Sequence, residues 1–383
     1  MFLWVLICVY LILLAGFRYK LGEDTFQYLR DYEKLHPITN LSAADFSFRR
    51  SRFAPGFILV FSFFKMLSPE MVYFQLFQAG VVNTIMFYFL YKNCKNIFFG
   101  ATIYFVFLYI LLNFQQMREA LAVSIFLLSW PLFRDNKWIK WYLASLLAFS
   151  FHLSAIIMFF LPLICLPGVR NLFIFGRRTW LILACVVIIG FAIYQTFFKY
   201  LELLAFTDKM QDRAEVYSKH AFGGALGDIK MVISTLIEYA IYPLLVLYIL
   251  YSNKKNNGIT GFNKQNAFVL INVYIVVFSL FIIVALRLTN YFYPFVIILL
   301  GDFIFSKVQI NGRKYAYNIV LWFVFFLPMF FLHSYRLIYT KLNDSGSLRT
   351  YMTYYPYNSY LYENDDVDQD KAYKTLFRKR SKE

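Results

Sequence analysis

The chain has 383 residues, 60% of them hydrophobic and 22% aromatic, and carries a formal net charge of +16. Apolar stretches of roughly 15 to 22 residues recur through residues 57–332 with no long soluble stretch between them, which excludes a water-soluble globular protein and predicts an all-α, polytopic membrane bundle of about 11 to 12 spans. The basic residues are scattered over short loops in the manner of orientation signals, so the charge does not argue for nucleic acid as a partner.

Residues 1–17 lack a basic amino-terminal region and a small-residue cleavage site, so they read as a first span and not as a removed leader. A polar stretch, residues 18–53, follows. Residues 54–67 (APGFILVFSFFKML) are about 14 in number, open with Pro-Gly and stop at Ser68-Pro69, so a juxtamembrane or re-entrant helix is expected there. Residues 71–91 are the next span and end at Lys92 and Lys95.

Further basic loops lie at Arg134, Lys137 and Lys140, at Arg170, Arg177 and Arg178, at Lys254, Lys255 and Lys264, and at Lys307, Arg313 and Lys314. All are expected to face the cytoplasm, and the chain between consecutive loops then crosses twice. Residues 97–112 and 117–133 make one hairpin, with Arg118 at its far turn. Residues 138–166 make another whose arms are short, at ~1.5 Å per residue, and whose turn falls near His152. Residues 179–198 and 229–250 enclose the mixed-charge loop 199–228, and residues 267–286 and 290–306 turn at Arg287 and Asn290.

On this topology residues 1–333 form one membrane domain with outer loops 18–53 and 199–228, and residues 334–383 form a polar, partly disordered tail. The first loop is an uneasy outer loop, because Arg18, Lys20, Arg30, Lys34, Arg49, Arg50 and Arg52 make it basic; the alternative is an outside amino terminus with one additional span.

Cys8, Cys94, Cys165 and Cys185 lie in spans or in a short loop, without metal-ligand spacing and without a disulfide framework. No phosphate-binding glycine loop, no GxSxG, no HExxH and no DxD suited to a nucleotide sugar is present. The acidic run Asp365–Asp368 sits in the tail. No metal and no cofactor is expected.

What remains is a set of ionisable residues at the ends of apolar segments, where charge is costly to hold and marks function. Arg18 leaves the first span, with Gly22, Asp24 and Tyr28 close behind. A guanidinium presents a planar fork of donors to phosphate oxygens, and Asp24 is a candidate general base if burial lifts its pKa toward working pH. Arg118 opens an apolar helix, where unpaired backbone amides also favour an anion, and Gln115 and Gln116 precede it with donors and acceptors for hydroxyls. His152, with Ser154 near, is an alternate base, and Arg287 is followed by Asn290 and Tyr291. Each has a plain structural reading: a juxtamembrane charge pair for Arg18 and Asp24, a snorkelling arginine paired with Glu119, a helix-packing histidine, an interfacial arginine anchor. Their expected convergence on the outer face favours the functional one.

The ordered series Arg-x-x-x-Gly-x-Asp-x-x-x-Tyr (Arg18 to Tyr28), Pro-Gly-Phe (Pro55 to Phe57), Arg-x-x-Leu-Ala (Arg118 to Ala122), His-x-Ser-Ala (His152 to Ala155), Arg-x-x-x-Tyr-Phe (Arg287 to Phe292) and Tyr-Tyr-Pro-Tyr-Asn-Ser (Tyr354 to Ser359) resembles the EpsG family of exopolysaccharide proteins, relatives of the Wzy-type polymerases. One departure is Ala54, where family members often carry a glutamate. The resemblance implies a GT-C-like membrane glycosyltransferase of the bacterial inner membrane, metal-independent, with an outer first loop carrying juxtamembrane helices. It also implies polymerisation of repeat units carried on undecaprenyl diphosphate, for an exopolysaccharide, capsule or O-antigen.

In that scheme Arg118 and Arg287 hold the diphosphate, with Arg18 as a weaker third; Gln115 and Tyr291 contact substrate; Asp24 is the base and His152 the alternate. Partners are the lipid-linked glycan, membrane lipid, a chain-length regulator and a flippase. A flippase of the same lipid, a glycan ligase and an O-acyltransferase are the other classes considered. A flippase should show matched broken helices, and none is visible in the sequence.

Overall fold

A computed structural model describes residues 2–22, 24–46, 53–203, 241–257, 261–308, 352, 354, 355 and 357–361. The described residues are helical throughout, apart from turns and one isolated backbone bridge between Arg18 and Ser359. The chain forms two compact units, the first made of Met1–Phe159 with Phe330–Lys382, the second of Phe160–Met329.

The first unit is built on α1 (Phe2–Gly16), α2 (Thr25–Lys34), α3 (Pro55–Leu67), α4 (Val72–Asn93), α5 (Ile97–Tyr104), α6 (Met117–Arg134) and α7 (Trp138–Phe151). α1 and α4 run antiparallel: a Cβ on Gly16 would lie 3.0 Å from Leu76 Cγ, and at the other end Trp4 packs against Phe87 in a tilted pair with centroids 4.4 Å apart. Glycine is required at position 16 because the two backbones approach so closely. α5 starts beside Trp4, where Phe98 meets it edge-on at 6.0 Å, and Asn96 caps it by accepting from the Phe98 and Phe99 amides.

Two π-helical turns, Phe105–Tyr109 and Leu111–Gln115, carry the segment past the 97–112 expected from sequence. The wider turns leave room for side chains to bond the backbone. Gln78 of α4 donates to the Leu112 carbonyl at 3.1 Å, and Asn113 donates to the Tyr109 carbonyl at 2.9 Å.

A buried polar knot fixes α4 against this segment. Asn83 donates to Asn113 at 2.9 Å and accepts from the Tyr104 hydroxyl at 2.9 Å, and Asn113 also donates to Tyr104. Interhelical bonds in lipid contribute only about 0.6 kcal/mol each. The knot therefore sets register more than it adds stability.

The turn between α6 and α7 is closed by Asn136 in the left-handed region (φ 57), a conformation its short polar side chain tolerates. Phe133 packs on Trp141 with centroids 4.8 Å apart, and the Trp141 indole donates to the Met158 carbonyl at 3.0 Å. The chain thus doubles back after Phe151, at the His152 turn expected from sequence; the returning arm consists of short turns and not of one long helix.

α3 does not traverse the unit. Its first turn meets Ser150 at the end of α7, where a Cβ on Gly56 would sit 2.9 Å from the Ser150 carbonyl. Its far end, through Ser68 and Met71, leads into the start of α4 beside Gly16. At ~1.5 Å per residue its length of about 20 Å falls short of a hydrocarbon core in any case. α1, α4, the α5 segment, α6 and α7 run the length of the unit, so one end (the site end) collects the described residues among 17–71, with 114–118 and 152, and the opposite end collects Lys92, Lys95, Arg134, Lys137 and Lys140.

In the second unit the described helices include α8 (Arg177–Leu203), α9 (Tyr242–Asn257), α10 (Lys264–Ser279) and α11 (Thr289–Val308). Asn272 of α10 accepts from the Tyr242 hydroxyl at 2.5 Å and donates to the Thr289 carbonyl, so one amide ties three helices together. A 3-10 turn, Ile283–Leu288, joins α10 to α11, and α10 stops at Ser279, short of the expected 286.

Two described helices, Val72–Asn93 and Ala285–Ser306, are long and apolar enough to cross a bilayer, or three if the broken pair Leu153–Cys165 with Pro167–Phe173 counts as one; Phe2–Gly16, Pro55–Leu67, Ile97–Tyr109 and Lys264–Ser279 are shorter apolar helices. Most of loop 199–228, the start of the expected span 229–250, the basic residues Arg313 and Lys314 and the acidic tail lie outside the described residues.

Candidate functional site

The site end of the first unit gathers five of the sequence motifs. Gly22 turns the chain after α1 in the left-handed region (φ 103), and a Cβ there would lie 2.7 Å from the Phe114 carbonyl. Glycine is thus needed twice over, for the backbone angle and for the approach. This contact sets the Arg18–Tyr28 segment against the residues that open α6.

Arg18 is fully buried. Its guanidinium donates to the Ala15 carbonyl and to the Met117 sulfur, and its Cζ stands 5.0 Å from the centre of the Phe114 ring. Burial lowers its pKa to about 10, which leaves it charged at neutral pH. The cation therefore ties the end of α1 to the start of α6 from within the protein.

Arg118 is half-buried on the first turn of α6, whose amino end carries no side-chain cap. Its Nε donates to the Tyr28 hydroxyl at 3.1 Å, and its Cζ stands 4.9 Å from the Phe53 ring and 5.8 Å from the Tyr28 ring. Tyr28 and Phe53 stack at 5.8 Å with an interplanar angle of 11°. Two aromatic faces and a phenol hold the guanidinium in one orientation, at about 0.5 to 2 kcal/mol per cation–π contact. Its position at a helix amino terminus suits an anion.

Asp24 is half-buried and precedes α2 without capping it through its side chain. Its carbonyl accepts from the Tyr28 amide at 3.1 Å, so this carboxylate lies one turn from the phenol that holds Arg118. Gln115 donates its amide to the Tyr354 hydroxyl. Glu119, next to Arg118, is buried.

His152 leaves α7 in extended conformation and caps the following 3-10 turn. Its Nδ1 accepts from the Ser154 amide at 3.3 Å and lies 2.5 Å from the Ser154 hydroxyl. With Nδ1 taken as an acceptor, the neutral imidazole carries its proton on Nε2. In that tautomer His152 can donate from Nε2; His152 and Asp24 both lie at this end of the unit. The turn it caps packs against α6.

The feature least expected from sequence is the carboxyl-terminal segment, assigned above to a polar tail. The Tyr19 amide donates to the Asn358 carbonyl and the Tyr360 amide to the Phe17 carbonyl, both at 2.9 Å, on either side of the Arg18–Ser359 bridge. The Tyr357 hydroxyl donates to the Leu14 carbonyl at 2.9 Å, and Tyr360 meets Tyr19 edge-on at 4.9 Å. This strap completes the site end; Pro356 within it lies outside the described residues.

A second pair passed unnoticed in the sequence. Asp45 accepts from the Ser42 amide and hydroxyl, each at 2.8 Å, and lies 3.0 Å from His36 Nδ1. The Asp45 carboxylate reaches back to the Ser42 amide as in one half of a capping box at the short turn Ala43–Phe46, and the Ser42 hydroxyl donates to the same carboxylate. The Ser42 amide, first of all, holds the Asp45 carboxyl below the usual carboxylate range.

Arg18, Asp24, Gln115, Arg118 and His152 thus belong to one end of the first unit. Arg287 lies exposed in the 3-10 turn of the second unit, and Tyr291 is fully buried there. Phe53 and Tyr354 join the site without having been singled out; their signal was their place beside Pro-Gly-Phe and in the Tyr-rich motif.

Compared with known proteins, the chain matches the family model described as the EpsG family over residues 1–359. No curated protein and no solved structure matches it.

Proposed function

The chain belongs to the EpsG family, and from that premise we propose that this membrane protein polymerises oligosaccharide repeat units carried on undecaprenyl diphosphate, at the outer face of the bacterial plasma membrane. The observation that carries the reading is the meeting of Arg118, Asp24, Gln115 and the strap at one end of the first unit. We take the opposite end, with Lys92, Lys95, Arg134, Lys137 and Lys140 in short loops, as cytoplasmic and the site end as outer, the side that the family resemblance favours for loop 18–53 although that loop is also basic. α1 starts at that basic end and the strap lies at the other, so an odd number of crossings separates them.

A hydroxyl of the incoming lipid-linked unit attacks the anomeric carbon of the growing glycan; the bond from that carbon to the diphosphate oxygen breaks, and the hydroxyl proton passes to Asp24. Diphosphate is a capable leaving group, so the protein's task is to stabilise the departing charge and to align the two sugars. Arg118 supplies the cation from the aromatic clamp, with Arg18 supporting from behind; a diphosphate role for Arg287 is carried over from the sequence reading. Gln115 bonds sugar hydroxyls, His152 donates from Nε2, and Tyr291, being buried, positions the Arg287 segment. The scheme uses no metal.

The test is the glycan ladder of a deletion strain complemented with Arg118→Ala or Arg287→Ala. Single repeat units with no polymer, at normal membrane levels of protein, are the expected result. Full-length polymer from both variants overturns the reading, and loss of even single exported units points instead to a flippase.

A further inference from the structure

We propose that Arg18, Gln75 and Gln78 enclose a binding site for ordered water inside the first unit, and that this water, in place of a carboxylate, solvates the Arg18 cation. The site is a property of the protein without glycan, so it stands or falls apart from the polymerase reading.

Arg18, Gln75 and Gln78 are fully buried. Arg18 Nε, both amide atoms of Gln75 and the Gln78 carbonyl oxygen have no hydrogen-bond partner among the described residues. A buried N–H or C=O left unpaired is costly, and native interiors meet that cost with water where protein groups do not. The bonds that are made do not relieve the rest. Gln78 Nε2 donates to the Leu112 carbonyl at 3.1 Å, which fixes the free end of that amide as its oxygen. The Arg18 guanidinium bonds the Ala15 carbonyl and, at 2.9 Å, the Met117 sulfur, and it lies against the Phe114 ring; no described carboxylate pairs with it.

Contacts of the surrounding backbone bring these groups to one layer. A Cβ on Gly16 would lie 3.1 Å from the Leu76 Cα, so the end of α1 touches the chain neighbour of Gln75. From there the Arg18 side chain folds back to Ala15 and reaches Met117 at the start of α6. Gln75 and Gln78, three residues apart on α4, share one face of that helix. Gln78 bonds Leu112 from this face, two residues before the ring on which the guanidinium rests.

The balance of donors and acceptors selects the ligand. Arg18 Nε and Gln75 Nε2 donate, whereas Gln75 Oε1 and Gln78 Oε1 accept. An anion would suit the donors and face two carbonyl oxygens, a cation would face the guanidinium, and an apolar group would leave every one of them unpaired. Water both donates and accepts, and about two to four polar partners hold it in an interior.

The experiment is X-ray radiolytic labelling of the full-length protein in detergent, in which hydroxyl radicals formed from a bound water oxidise the side chains beside it. Met117 is fully buried with its sulfur on the Arg18 guanidinium, and the exposed Met66 reports bulk water. Met117 should be oxidised in the wild type and should lose most of that labelling in Gln75→Leu, with Met66 unchanged. A Met117 that stays unoxidised in the wild type overturns the site, as does equal oxidation in Gln75→Leu. A second measurement does not depend on that variant folding. Gln75→Glu gives the guanidinium a carboxylate and should keep or raise the melting temperature, whereas the same change in an Arg18→Met background buries a lone charge and should lower it. Equal shifts in the two backgrounds would show that Gln75 and Arg18 do not share a site.

Discussion

The Arg118 Nε donates to the Tyr28 hydroxyl at 3.1 Å across ninety residues of chain, and this one bond joins the motif after the first helix to the motif that opens α6. Removing the hydroxyl keeps the ring and its face on the guanidinium but frees the cation to turn. A bond of this kind is worth about 1 kcal/mol. Tyr28→Phe should therefore lower polymer yield roughly fivefold, whereas Arg118→Lys, which loses the planar fork, should lower it more than tenfold. Ladder intensity in membrane vesicles measures both, and equal yields in Tyr28→Phe and wild type would show that the clamp does not orient the arginine.

Gly22→Ala should destabilise the first unit by about 1 to 2 kcal/mol from backbone strain alone, with a further cost from the clash at the Phe114 carbonyl. Gly80, which has open space where a Cβ would point, is the internal control. The melting temperature of purified protein should fall in Gly22→Ala and hold in Gly80→Ala.

His152→Ala removes the acceptor that caps the turn after α7, at a cost of about 1 kcal/mol. His152→Asn keeps a side-chain acceptor and should recover that stability. If it recovers activity as well, the histidine acts through position; if stability returns and polymer does not, its Nε2 proton takes part in the reaction.

The Asp45 carboxyl is held below its ordinary range by the Ser42 amide and hydroxyl. Its contribution to stability is complete above the unfolded carboxylate pKa and is lost as pH falls through the lower folded value. The loop between α2 and α3 should thus keep protection of the Ser42 amide at pH 5 and lose it in stronger acid, read by hydrogen exchange. In Asp45→Asn that protection should be weaker at neutral pH and insensitive to acid.

Cysteines placed at Asn40 and Leu361, in a background without Cys8, Cys94, Cys165 and Cys185, should react alike with an impermeant thiol reagent on intact cells, and one at Lys95 should be protected. Opposite behaviour of Asn40 and Leu361 would break the pairing of the strap with residues 17–19.

Much of this architecture is written in local pattern. The helices Val72–Asn93 and Met117–Arg134 follow from apolar runs closed by basic loops, and the reversal at His152 follows from how little chain lies between two such loops. The shortness of residues 54–67 marked α3 as a helix that does not cross. The strap was illegible because its bonds pair backbone groups more than three hundred residues apart, and backbone pairing leaves no trace in residue type. The π turns were hidden for a related reason: they are stabilised by Gln78 and Asn113, which from sequence alone are merely polar residues in apolar helices. Tyr-rich composition near the carboxyl end suggested a loose tail, since nothing local distinguishes tyrosines that anchor from those that are solvated.

The order of synthesis gains meaning from that weave. Residues 352–361 leave the ribosome after every helix of the second unit, yet they close a site framed by residues made at the start. A partly translated chain therefore lacks the backbone bonds that the Tyr19 and Tyr360 amides make across this clasp.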